Sequence, residues 1–98
     1  MSEAAERLRK RAVEKALHGP GKASADARRA AYDNTDAAPA RALVAIVAAN
    51  AWKVTDEDVA AAKQAGLSDD EIFELVVCAS LGQSDRQLDA ALVALEQA

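Results

Sequence analysis

A stretch of eight residues without a single polar side chain constrains the fold of this chain more than any other feature. It covers residues 42–49, Ala-Leu-Val-Ala-Ile-Val-Ala-Ala. A segment with no polar face must be buried on most sides. Residues 43–47 alone would also fit a buried strand, but the alanines on either side favour a helix. The sequence therefore predicts a central apolar helix that starts near Ala37 or Ala38 and ends near Trp52.

Capping patterns mark the starts of three further helices. In such a pattern a Ser or Thr is followed three residues later by an acid or Gln, which reaches back to the free amides of the first turn. The pairs are Thr55 with Asp58, Ser68 with Glu71, and Ser84 with Gln87. The predicted helices are residues 56–65, 69–81 and 85–96, separated at Gly66 and Gly82. The second of these is apolar nearly all round, and the third is amphipathic.

Two helices are predicted before the apolar one. Ser2 can cap a basic helix over residues 2–17, which the sequence His-Gly-Pro-Gly of residues 18–21 then breaks. Ser24 can cap a short helix over residues 25–32. We therefore expect an all-α fold: a compact bundle of about five to six helices around two largely apolar central ones. The length suits a single helical domain over residues 1–98.

The charge is divided unevenly along the chain. The net charge is −4, which weighs against a nucleic-acid partner because phosphates attract basic surfaces. Residues 1–49 carry nine Lys or Arg and six acids, whereas residues 50–98 carry three Lys or Arg and ten acids. Opposite charges on the two halves can attract each other within one subunit or between subunits.

Cysteine content and hydropathy bear on location. Cys78 is the only cysteine, so the chain forms no internal disulfide. Residues 1–15 are charged and lack the apolar core of a signal peptide. No stretch approaches 18 uncharged apolar residues, so we expect no membrane span and a cytoplasmic location.

The second half of the chain resembles a known family. The blocks Val-Thr-Asp-Glu-Asp-Val (54–59) and Ala-Gly-Leu-Ser-Asp-Asp-Glu-Ile-Phe-Glu-Leu (65–75) are similar to the carboxymuconolactone decarboxylase and alkyl-hydroperoxidase-D superfamily. Gly82 and the closing helix with Leu-Asp-Ala-Ala-Leu (88–92) also fit its pattern. The resemblance covers about residues 40–98. It implies an all-α fold of that type and a tendency to form homo-oligomers such as trimers or hexamers.

The chain departs from that family at the redox site. Redox-active members carry a Cys-x-x-Cys pair followed by a His, upstream of the Gly-Leu-Ser turn. The corresponding positions here fall near Ala51, Val54 and Asp58, none of which matches. The resemblance therefore transfers no catalytic residue and does not imply thiol peroxidase activity, and we predict no cofactor and no metal site.

The remaining polar residues have structural explanations. Cys78 stands among aliphatic residues and is expected in the core. His18 is expected to interact with the last carbonyls of its helix, and the acidic clusters of residues 56–58 and 69–71 suit first helical turns. Asp69, Asp70, Glu71 and Glu74 would also repel phosphates, which weighs against a DNA-binding helix-turn-helix around Gly66. Candidate interface residues remain: the basic Arg7, Arg9 and Arg11, and the amphipathic Trp52, which equally suits packing in the core.

Two functions stay open. The first is a non-catalytic helical module that forms a homo-oligomer or contacts another protein. The second is a decarboxylase or lyase of the superfamily that acts on a small acidic lactone, with His18 or a carboxylate as general acid and base. An enzyme would need a concave site with convergent polar groups.

Overall fold

The computed structural model describes residues 2–97, and within them it is all-α with no strand. The prediction of an all-α bundle is confirmed. These described residues form α1 (Glu3–His18), α2 (Ala25–Asp33), α3 (Arg41–Asn50), the 3-10 turn Ala51–Lys53, α4 (Asp56–Gln64) and α5 (Asp69–Gln97).

Most of the predicted helix starts are confirmed by their caps. Ser2 accepts a hydrogen bond of 3.1 Å from the Ala5 amide, and Ser24 accepts one of 3.0 Å from the Ala27 amide. The Thr55 pair is a complete capping box, in which each residue's side chain accepts from the other's amide. Ser68 and Glu71 do the same at 3.1 Å in both directions. At four helix starts the capping side chains predicted from the sequence therefore accept hydrogen bonds from free amides of the first turn.

The predicted break at Gly82 is wrong. Predicted helices 69–81 and 85–96 form one continuous helix, α5, so the Ser84 and Gln87 pair caps nothing. Gly82 is buried where the backbone of Tyr32, near the end of α2, crosses α5. A Cβ atom at Gly82 would lie 2.7 Å from the carbonyl carbon of Tyr32 and closer still to its oxygen. This glycine permits close approach of two helices, and its helix-propensity cost of about 1 kcal/mol does not end α5.

The apolar helix is shorter than predicted at both ends. It begins at Arg41, not at Ala37 or Ala38, because Ala40 has a left-handed backbone with φ of 52°. Pro39 stands before the helix, and a residue that precedes proline is biased away from helical geometry. The helix ends at Asn50, and Trp52 lies in the 3-10 turn that follows.

The core lies between α5 and the helices that cover one of its faces. Residues Ile72, Leu75, Cys78, Ala79 and Gly82 recur at helical spacing and are buried. They pack mainly against α2 and α3, and α3 contributes Leu43, Val44, Val47 and Ala48. The expectation that the two apolar helices form the centre is thus confirmed for α3 and the first half of α5.

Helix α1 runs antiparallel to α5 along its side. Near the end of α1 the Ala16 carbonyl lies 3.5 Å from the Cys78 sulfur, and farther back Arg9 contacts Asp85. The two helices therefore diverge from the core together: the first half of α1 accompanies the second half of α5.

Candidate interaction surface

The antiparallel pair extends beyond the core as a two-helix arm. We define the arm as residues 3–13 of α1 and residues 84–97 of α5. Every residue in these two ranges is at least partly exposed. The exposed residues include Leu8 at 63%, Val93 at 51% and Leu95 at 71% exposure. Because each of these residues is at least partly exposed, the arm presents apolar surface but has no core of its own. Isolated helices of this length are only marginally stable in water.

A polar cluster joins the arm to α2. Arg9 donates to Asp85 at 3.1 Å and to Glu6 at 2.7 Å, and it approaches Asp89 to 3.8 Å. The Tyr32 hydroxyl donates a short hydrogen bond to the other oxygen of Asp85. Together these contacts bind α1, α2 and α5 to one another at the base of the arm.

The cluster changes the acidity of its members. Burial, and then the hydrogen bond to Asp85, raise the pKa of Tyr32 to about 12. The hydrogen bond from Arg9 lowers the pKa of the Glu6 carboxyl. At neutral pH Tyr32 is therefore protonated and acts as a hydrogen-bond donor.

The predicted interface residues separate into two groups. Arg7 and Arg11 are exposed on the outer side of α1. Arg9, by contrast, is engaged within the chain by Glu6 and Asp85. Trp52 is 79% exposed, and the Lys53 ammonium lies 5.1 Å from the centre of its ring. The structure thus places Arg7, Arg11 and Trp52 at the surface, with Trp52 on a different element from the two arginines.

The surface depressions among the described residues are open to solvent. One of them, about 680 Å³, is lined by residues of α1 that include Arg7, Leu8 and Arg11. A second, about 430 Å³, lies where the loop at Pro20–Lys22 approaches Phe73, which is itself exposed. Open depressions beside exposed apolar side chains suit contact with another helix better than enclosure of a small molecule.

Arg28 and Glu74 have structural roles that the sequence did not predict, and both hold the loop that follows α1. The buried Arg28 donates to the Gly19 carbonyl at 2.7 Å and to the Ala16 carbonyl at 3.3 Å. It thereby serves the end of α1, where His18 was expected to act, and His18 is exposed. The Glu74 carboxylate accepts from the Lys22 amide at 2.8 Å. In the sequence, Arg28 stands out as a charged residue of a short helix, and Glu74 as an acid in a largely apolar helix. Their hydrogen-bond partners are distant in sequence, so the sequence could not reveal these roles.

Cys78 is buried, as the sequence predicts. Burial raises the pKa of its thiol and outweighs the Arg28 guanidinium, which acts in the opposite direction. A thiol in this environment stays protonated and is a poor nucleophile at neutral pH.

Neither a metal site nor a membrane helix appears in the part of the chain that the structure describes. Residues 2–97 contain no group of three or more His, Cys, Asp or Glu side chains placed to hold a metal ion. In the same residues no helix is both long and apolar enough to cross a bilayer.

Comparison with known proteins adds no relative: the chain matches no family model, no curated protein and no solved structure. The resemblance to the carboxymuconolactone decarboxylase and alkyl-hydroperoxidase-D superfamily stays a prediction from the residues. The functional proposal therefore depends on the surface described above.

Proposed function

We propose that this protein is a non-catalytic helical module that works by self-association, as a divergent member of the carboxymuconolactone decarboxylase and alkyl-hydroperoxidase-D superfamily without its redox cysteines. The observation that carries the proposal is the two-helix arm, which exposes Leu8, Val93 and Leu95. Apolar surface on helices that lack a core is stabilised when another helical surface covers it. A cytoplasmic location is part of the proposal, and the single, buried cysteine is compatible with a reducing compartment.

The division of charge supports self-association. Basic α1 and acidic α5 are neighbours in one chain, and Arg9 shows that they attract each other there. Arg7 and Arg11 are exposed and have no role in that contact, so they are available to an acidic surface on a second copy. A basic helix beside an acidic one makes the surface complementary to itself.

The test is the mass of the purified protein in solution over a range of concentrations. Sedimentation velocity from about 1 μM to 200 μM, with native mass spectrometry, would show multiples of the 10.2 kDa chain if the proposal is correct. A protein that stays at 10.2 kDa over the whole range would refute it and would leave a different protein as the partner.

One observation favours a second candidate, the lyase-type enzyme. Arg9, Tyr32 and Asp85 border a depression of about 340 Å³ that Lys10 and Glu14 also line. The basic groups would bind a carboxylate, the Glu14 carboxylate would act as general base, and the Tyr32 hydroxyl would donate a hydrogen bond to the substrate. The groups of the cluster already bind one another, which is why we rank this candidate second.

This second candidate has its own assay. Wild-type protein and the Tyr32→Phe variant would be incubated with small acidic lactones while CO₂ release and lactone opening are followed. If wild type turns over a lactone and Tyr32→Phe does not, while the far-ultraviolet circular dichroism of the two is the same, the protein is an enzyme and the proposed interaction module is refuted. If no lactone is turned over, this second candidate is rejected.

A further inference from the structure

The long helix α5 carries an apolar stripe at coiled-coil spacing. From Val77 onward, the stripe positions follow one another at alternating intervals of four and three residues. Its members are Val77, Leu81, Ser84, Leu88, Ala91 and Leu95. This is the heptad repeat with which a helix presents one continuous seam to another helix. From Val77 to Leu95 the seam is about 27 Å long.

The stripe is not the face of α5 that packs in the core. The core-facing residues, such as Leu75, Ala79 and Gly82, occupy a different sector of the helix and are covered by α2 and α3. Val77, Leu81 and Leu88 are only partly buried, and Leu95 is 71% exposed. None of the six stripe positions is charged, so the seam is apolar apart from one serine.

Helix α1 continues the same surface. Ala5, Leu8 and Ala12 share one face of α1 by their spacing, next to the row through Arg9 that contacts α5. Because the two helices are antiparallel, their rotational senses are opposite, and this face opens to the same side of the pair as the α5 stripe. Val93 lies about three helical turns after Gly82, so its position is on the side of α5 on which α2 packs.

We propose that this face, the α5 stripe together with Leu8 of α1, binds the same face of a second copy of the chain. The two copies would be related by a two-fold axis parallel to the helices, so that α1 of each lies against α5 of the other. The four helices then form an antiparallel four-helix layer around the paired seams. This inference rests on the proposed self-association and assigns its surface and its direction.

Charge decides between the possible pairings. Within the arm, α1 carries four basic and two acidic residues, whereas α5 carries one basic and three acidic residues. Packing α5 on α5 would bring two acidic helices together, and packing α1 on α1 would bring two basic ones together. Only the α1-on-α5 pairing places opposite charges at both contacts.

The size of the surface sets the expected strength. Two helices about 20 Å wide over about 27 Å present roughly 500 Å² on each copy, less than the roughly 800 Å² per partner of a standard stable interface. We therefore expect a dimer that dissociates on dilution, so its dissociation constant is measurable.

Three single variants test the surface: Leu8→Lys, Leu95→Lys and, as the matched control, Val93→Lys. All three replace exposed leucine or valine with lysine on the arm, so the monomer fold tolerates each of them. Leu8→Lys and Leu95→Lys each remove two apolar contacts from a two-fold dimer and should weaken dimerisation at least about 100-fold in sedimentation equilibrium. Val93→Lys should stay within about threefold of wild type.

The results separate this inference from the proposed function. If wild type dimerises and all three variants dimerise equally well, the stripe is the wrong surface but self-association stands. Trp52→Lys then tests the other exposed aromatic site, and loss of the dimer in that variant alone would place the contact there. If wild type never dimerises, the proposed function itself is refuted.

A disulfide experiment tests the direction of pairing. The contact of Arg9 with Asp85 and Asp89 puts Leu8 level with Leu88 and Ala91 along the pair. A mixture of Leu8→Cys and Ala91→Cys chains should form a heterodimeric disulfide on mild oxidation, whereas Leu8→Cys alone should not form a homodimeric one. The buried Cys78 stays unreactive in both. Efficient cross-linking of Leu8→Cys with itself would overturn the α1-on-α5 arrangement.

Discussion

Replacing Gly82 with alanine tests whether the crossing of α2 over α5 sets this fold. In an uninterrupted helix, glycine to alanine stabilises by about 1 kcal/mol because alanine has the higher helix propensity. At Gly82 the new Cβ would instead lie 2.7 Å from the carbonyl carbon of Tyr32 and 3.1 Å from its Cα atom. These are backbone atoms, so α2 as a whole must retreat by about an ångström.

The retreat weakens the contacts that hold α2 in place. The Arg86 guanidinium donates to the Tyr32 carbonyl at 2.7 Å, and the Tyr32 hydroxyl donates to Asp85. Overpacking costs about 1–3 kcal/mol, and a lost hydrogen bond to a charged group costs about 1.5–3 kcal/mol. After the gain of about 1 kcal/mol in helix propensity is subtracted, the free energy of unfolding should fall by about 1.5–5 kcal/mol. For a chain of this length the melting temperature should fall by about 6 °C or more.

Urea and thermal unfolding followed at 222 nm, at matched protein concentration, measure the effect. Ala90→Gly is the control: it makes the opposite change at an exposed position of the same helix and should cost about 1 kcal/mol from propensity alone. A Gly82→Ala variant as stable as wild type, or more stable, would show that α2 does not press on α5 here and would refute the reasoning.

Two further predictions concern buried polar contacts. Tyr32, the only tyrosine, should ionise at about pH 12 in the folded protein and nearer its ordinary pKa of 10 in the Asp85→Asn variant, as followed by absorbance at 295 nm. Because folding raises the pKa of Tyr32, its contribution to stability, roughly 2 kcal/mol, is complete below pH 10 and is lost as the pH rises toward 12. The difference in free energy of unfolding between wild type and Tyr32→Phe should therefore change over this pH range, and a constant difference would contradict the prediction. Arg28→Met keeps the side-chain volume but leaves the Ala16 and Gly19 carbonyls without their donor, so the free energy of unfolding should fall by about 1.5–3 kcal/mol in urea titrations; an unchanged midpoint would show that water replaces the guanidinium.

The interface candidates show how far residue type alone leads. Basic residues on α1 and an exposed tryptophan are visible in the sequence, and the structure places Arg7, Arg11 and Trp52 at the surface. The sequence could not separate Arg9 from its neighbours, because that separation depends on Asp85, which is 76 residues away. The sequence also could not predict the two-helix arm, because the arm depends on how far along α1 and α5 the other helices cover them.

The sequence by itself determined the all-α character of the fold and four of the helix starts. Capping residues, apolar periodicity and the eight-residue apolar stretch act over a few residues, so Ser2, Ser24, Thr55 and Ser68 mark their helix starts correctly. Tertiary structure decided what Gly82 does, because glycine both weakens a helix and permits a close crossing, and only the presence of Tyr32 against it selects the second role. It also decided which charges pair, since Coulomb attraction depends on distances in space that chain separation does not reveal.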